Sequence, residues 1–157
     1  MGNFVKGYQL RELLFGVQVT KAAQALPQSA TSTLYTVSGG SVLVTSLFGV
    51  VSGTAIGATV TTLALGTVPT TGTASSTGIA TATAITSKEI GTWVAPQAAS
   101  GVAGALVVGG NSGAAPYPPT AFVVPAGTIT WTTSASDTGK MAWYLTYVPL
   151  DTGASVS

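Results

Sequence analysis

The chain has 157 residues, of which 6% are charged and 46% hydrophobic, and its formal net charge is +1. Soluble domains usually carry about 25% charged residues, and the five basic side chains here are scattered, which argues against a surface that binds nucleic acid. The chain has no cysteine and no histidine. This removes disulfides, thiolate metal sites and the commonest general base, so we expect no catalytic residue, no metal and no cofactor.

The scarcity of charge also bears on how the protein meets water. A free monomer normally keeps charged residues on its surface for solubility. In this chain Thr, Ser, Gly and Ala stand where those charges would be. We therefore expect much of the surface to be covered in an assembly.

Residues 1–30 differ from the rest of the chain and are predicted to form an N-terminal arm. A short helix is predicted at residues 9–15, because apolar residues recur there at helical spacing, and Gly16 could end it. The helix could pack on its own domain or dock on a neighbouring subunit. In the second case the predicted interface residues are Leu10, Leu13, Leu14 and Phe15.

Two stretches of the sequence bear on whether the chain is exported or spans a membrane. The first residues of the chain lack the apolar core of a secretory signal. Residues 42–60 carry no charge, but Ser, Thr and Gly interrupt them too often for a spanning helix. Their β-branched residues favour strands, so we expect no membrane contact.

From Thr31 onward the sequence favours β-structure. Strands are predicted at residues 33–37, 41–51 (with a bulge at Gly49), 58–68, 74–86, 90–94 and 106–108. About eight strands with turn residues between them predict an all-β fold, a single β-sandwich or a jelly-roll-like barrel over residues 31–157.

Residues 122–150 give the clearest local pattern. Large side chains alternate with small ones on either side of a turn that contains Asp137, which predicts a hairpin. Trp131 and Trp143 would then form a cross-strand aromatic pair on one face of the sheet.

Two Asp-Thr-Gly triplets, at Asp137 and at Asp151, match the signature of aspartic proteases. Those enzymes need two carboxylates that share a proton across a two-fold axis. The triplets are too close in sequence to belong to two lobes, and Asp-Thr-Gly is also ordinary turn chemistry. Two carboxylates alone are a poor calcium site. We therefore expect no enzymatic activity.

Two blocks resemble small virion proteins of tailed bacteriophages that decorate or line the head. One is TLYTVSGGSVLVTSLFGVV at residues 33–51; the other begins with FVVPAGTI at residues 122–129 and continues as DTGKMAWYLTYVPLDTGAS at residues 137–155. The resemblance implies a β-rich, non-enzymatic protein present in many copies on the particle. It favours a trimer and carries over no functional residue.

The composition and the resemblance together predict a capsid decoration or cement protein that stabilises the head. Its expected partners are the major capsid protein and further copies of itself, and its expected location is the virion, assembled in the host cytoplasm. The alternative is a head-fibre, vertex or tail component that binds a host or a carbohydrate. Its contact residues would be the aromatic side chains of Trp93, Tyr117 and Tyr144.

Overall fold

The computed structural model describes residues 6–59, 61–99, 102–110 and 121–157. Within these ranges it contains one helix and eleven strands. They are α1 (Gly7–Phe15), β1 (Val17–Ala25), β2 (Thr31–Ser38), β3 (Val42–Val51), β4 (Thr62–Pro69), β5 (Ser75–Ala84), β6 (Trp93–Ala99), β7 (Val102–Val108), β8 (Phe122–Val124), β9 (Gly127–Thr133), β10 (Lys140–Pro149) and β11 (Ser155–Val156).

Ten of the strands form a nearly closed, barrel-like sheet in the order β1-β10-β3-β6-β7-β5-β4-β9-β2-β11, and β8 pairs with β3 beside it. The pairs are antiparallel except β5 and β7, which run parallel. The all-β class predicted from the sequence is therefore confirmed. None of the helices in the described ranges is long and apolar enough to cross a membrane.

The strand count exceeds the eight that the sequence predicts, because β1, β8 and β11 give little sequence signal. Three residues in β8 and two in β11 are too few to show alternation. β1 lies inside the predicted arm, yet it pairs with β10 from Val17 to Ala25. Among the described residues of the predicted arm, β1 belongs to the sheet and α1 lies outside it.

The sheet encloses one hydrophobic core, and β10 shows how the sequence directs side chains into it. Met141, Trp143, Leu145 and Tyr147 alternate along the strand and are all buried. Successive strand residues point to opposite faces, so these four face the interior. The residues between them face outward.

The predicted hairpin between β9 and β10 is wrong. β9 lies between β4 and β2, whereas β10 lies between β1 and β3. Residues 134–139 cross from one half of the sheet to the other, and the buried carboxylate of Asp137 holds this crossing by accepting N–H groups of Gly57 and Gly139. Trp131 and Trp143 do meet, but across the core, with ring centroids 5.8 Å apart.

The predicted bulge at Gly49 is also misplaced. The pairing is regular there, with Gly49 opposite Trp143, and the register shifts instead between Thr146 and Tyr147. A Cβ at Gly49 would lie 2.9 Å from the Met141 methyl and 3.0 Å from the Trp143 ring. Any larger residue here would require Met141 and Trp143 to shift, because the core approaches the backbone closely.

Candidate functional site

The predicted interface lies on α1, at the start of the described chain. The helix ends at Gly16, which has a φ of 92° and donates its N–H to the Glu12 carbonyl at 3.0 Å. A Cβ at Gly16 would collide with the Tyr147 carbonyl oxygen. Glycine thus provides both the helix end and a close approach of α1 to β10.

The apolar side chains of α1 are largely uncovered. Leu10 is 50%, Leu14 65% and Phe15 67% exposed. Leu13 belongs to the same helix, but its side chain lies outside the described part of the structure. A helix that packed on its own domain would bury these residues. The domain leaves Leu10, Leu14 and Phe15 available for another molecule.

A groove of about 300 Å³ lies between the end of α1 and the sheet. It is lined by Leu14, Phe15, Thr45, Ser46, Thr146 and Val148. The Thr45 hydroxyl lies 3.1 Å from the Thr146 carbonyl and 3.2 Å from the Phe15 carbonyl. This contact joins the end of the helix to the sheet. The groove beside it is lined by apolar side chains and by the hydroxyl groups of Ser and Thr, and none of its lining side chains is ionisable.

The exposed apolar surface extends beyond the groove. Val148 is paired with Leu43, and Leu43 with Val123, so these three side chains form a row on the outer face of the sheet. Val123 is 59% and Val148 39% exposed, and Leu150 is also exposed. Sequence reasoning missed this row, although the alternation in β10 was the signal that could have found Val148.

The two Asp-Thr-Gly carboxylates perform structural roles at different loops. Asp137 is buried, and its carboxylate accepts the Gly139 N–H at 2.7 Å and the Gly57 N–H at 3.1 Å. Asp151 accepts the Ser41 N–H at 2.7 Å. The described residues contain no group of three or more acidic, His or Cys side chains that could hold a metal.

The aromatic residues considered for carbohydrate binding are not equally available. Tyr144 is half-buried and stacks on Phe48, with centroids 4.9 Å apart and planes inclined by 15°. Trp93 is half-buried, and Tyr117 lies outside the described residues. One face of the Tyr144 ring is therefore already used by Phe48.

One phenol, that of Tyr35, is buried in the core. Tyr35 is completely buried, its hydroxyl has no hydrogen-bond partner among the described residues, and the Lys21 ammonium lies 5.7 Å from its ring centroid. Burial raises the pKa of the Tyr35 phenol above its usual range. The phenol is thus neutral at physiological pH and acts in packing.

No family model, curated protein or solved structure matches this chain.

Proposed function

We propose that the protein is a structural virion protein of a tailed bacteriophage, a decoration or cement protein that stabilises the capsid. Its partners in this proposal are the major capsid protein and further copies of the same chain. The observation that carries it is the exposure of Leu10, Leu14 and Phe15 on a helix at the edge of the domain. The resemblance of the two sequence blocks supplies the type of particle.

The proposed attachment places the apolar side of α1 in a groove of the shell, a recurring mode of helix recognition. Complete burial of a Leu or Phe side chain stabilises by about 1.5–3 kcal/mol. Leu10, Leu14 and Phe15 are half to two-thirds exposed, so docking would realise a corresponding part of that energy for each. Leu13 completes the proposed interface set.

Low charge makes such a contact inexpensive to dehydrate. A buried charge must be paired and hydrogen-bonded to offset the loss of water. The groove beside α1 has no ionisable side chain among its lining residues. A contact made through this groove would therefore require no matched ion pairs, and the charges of α1 itself are those of Arg11 and Glu12.

The finer architecture is part of the same proposal. We place β1, β10, β3, β8, β6 and β7 in one layer of a β-sandwich and β5, β4, β9, β2 and β11 in the other, with α1 as the arm. Its support is the contact of Trp131 from β9 with Trp143 from β10, which joins the two halves across the core.

The attachment can be tested with shells that lack the protein. We expect a variant without residues 2–16 to keep its β-domain folded and to lose binding to the shell. The substitutions Leu10→Asp, Leu14→Asp and Phe15→Asp, made together, should have the same effect. Val68→Asp is the matched control, because Val68 is also an exposed apolar residue but lies on β4. Unchanged binding of the arm variants would exclude the arm.

The alternative, a head-fibre, vertex or tail component that binds a host or carbohydrate, has less support. Sugar-binding sites use aromatic faces that are free to stack, and Tyr144 stacks on Phe48. Glycan-array binding that is lost in Trp93→Ala and Tyr144→Ala variants would favour this alternative.

A further inference from the structure

The outer face of β10 and β3 has an unusual composition. Its first row is Val148, Leu43 and Val123, and its second is Gln18, Thr146 and Ser46, as fixed by the strand register. Directly opposed residues in antiparallel strands project from the same side of the sheet. Leu43, Thr146 and Ser46 are partly exposed, and the two valines are exposed.

The same face continues along both strands. The third row is Thr20, Tyr144 and Phe48, and the fourth is Ala142, which is buried, with Val50 and Trp93. The twelve residues of these four rows, here called the uncharged face, include no Asp, Glu, Lys or Arg. The nearest charges along β10 are Lys140 at its start and Asp151 beyond its end.

We propose that the uncharged face is an interface between two copies of this chain. Two sheets that pack face to face cover each other's outward side chains at a separation of about 10 Å. In this contact the outer rows of one copy would pack on those of the other. The proposal deepens the homo-oligomer of the proposed function and names the surface that forms it.

The extent of the surface can be compared with that of a stable interface. Four rows spaced by about 6.6 Å across three strands spaced by about 4.8 Å give roughly 380 Å² in flat projection. A stable contact takes about 800 Å² of accessible surface from each partner, so the flat projection is just under half of that area. Side chains standing on the sheet add to the projected area, and the groove beside α1 adjoins it through Thr146 and Val148.

The charge pattern selects a second copy as the occupant. An uncharged surface offers nothing to attract or orient a charged partner, and it would leave the charges of that partner buried and unpaired. The same face of a second copy brings no charge to the contact. The stacked Phe48 and Tyr144 rings provide the aromatic area that interface centres favour.

The test is the mass of the purified full-length protein by analytical ultracentrifugation over a range of concentrations. We expect the wild type to form a multiple of its 15.5 kDa chain mass. Thr146→Arg places a charge within the uncharged face and should weaken self-association about tenfold or more. The matched control is Thr36→Arg, since Thr36 is an exposed strand residue on β2, and it should keep the wild-type mass. Both variants should keep the wild-type circular dichroism spectrum.

Two results would overturn this interface. One is a wild type that is monomeric at every concentration, and the other is a folded Thr146→Arg variant that associates as the wild type does. Neither result involves the shell, so each leaves shell attachment to its own test. Conversely, a wild-type protein that associates with itself but does not bind the shell would count against the proposed function and not against this interface.

Discussion

The indole rings of Trp131 and Trp143 meet edge to face, with centroids 5.8 Å apart and an interplanar angle of 87°. Their strands are not neighbours: β9 pairs with β2 and β4, and β10 pairs with β1 and β3. The contact therefore joins the two halves of the sheet through the core. Edge-to-face geometry suits the opposite signs of charge at the ring face and the ring edge.

This contact has a measurable energy. We expect Trp131→Leu and Trp143→Leu to show a coupling free energy of about 0.5–1.5 kcal/mol in a double-mutant cycle. The measurement is urea unfolding of the four proteins in the cycle. As a control, Trp131→Leu combined with Ile90→Ala should be additive, because Ile90 is exposed on a loop. A coupling of zero between the two tryptophans would contradict the packing across the core.

The Asp137 carboxylate fixes the crossing between β9 and β10 through the N–H groups of Gly57 and Gly139. We expect Asp137→Ala to lower the free energy of unfolding by about 1–3 kcal/mol, because it leaves buried donors without an acceptor. Asp151→Ala is the comparison, since its carboxylate is exposed and accepts the Ser41 N–H. Its loss should be the smaller one, and equal losses would refute the role of Asp137.

Gly49 tests how tightly the core is packed. We expect Gly49→Ala to destabilise the fold by about 1–3 kcal/mol, because the added methyl group would press on Met141 and Trp143. Gly110→Ala is the matched control, since no heavy atom lies within 4 Å of a Cβ there. Thermal unfolding of both variants is the measurement. Equal midpoints would show that the core beside Gly49 has room.

Tyr35 predicts an alkaline limit to stability. Its folded-state pKa is raised by burial, whereas the unfolded phenol has a pKa of about 10. The unfolded state therefore loses its proton first, so stability is maintained below about pH 10 and falls as the pH rises above it. Tyr35→Phe should reduce that fall, and because the hydroxyl has no partner in the described part of the chain, the substitution should cost little stability at neutral pH. Urea unfolding at pH 8 and pH 11 makes the comparison. An equal fall in both proteins would assign it to other groups.

The sequence predicted the parts of the fold that depend on local alternation. In β10 the large residues Met141, Trp143 and Leu145 face the core as their spacing indicates. The pairing of β9 with distant strands could not be predicted, because residues 134–139 resemble a hairpin turn. Their contacts with residues far along the chain, such as those of Asp137 with Gly57 and Gln28, direct them across the sheet. Local patterns do not specify such long-range partners.

In the candidate site, too, the features that depend on local spacing were predicted and those that depend on long-range strand pairing were not. Helical spacing singled out Leu10 and Leu14, and the structure leaves both exposed. The row through Val148, Leu43 and Val123 was missed because it joins three strands that are far apart in sequence. Its discovery required the register of the sheet.

The most direct measurement for the proposed function is the copy number of this protein in purified virions of the tailed phage that the proposal calls for. Quantitative mass spectrometry can compare its amount with that of the major capsid protein. A decoration protein should be present in hundreds of copies per particle, in a fixed ratio to the shell subunit. A dozen copies or fewer, or its absence from the particle, would contradict the account.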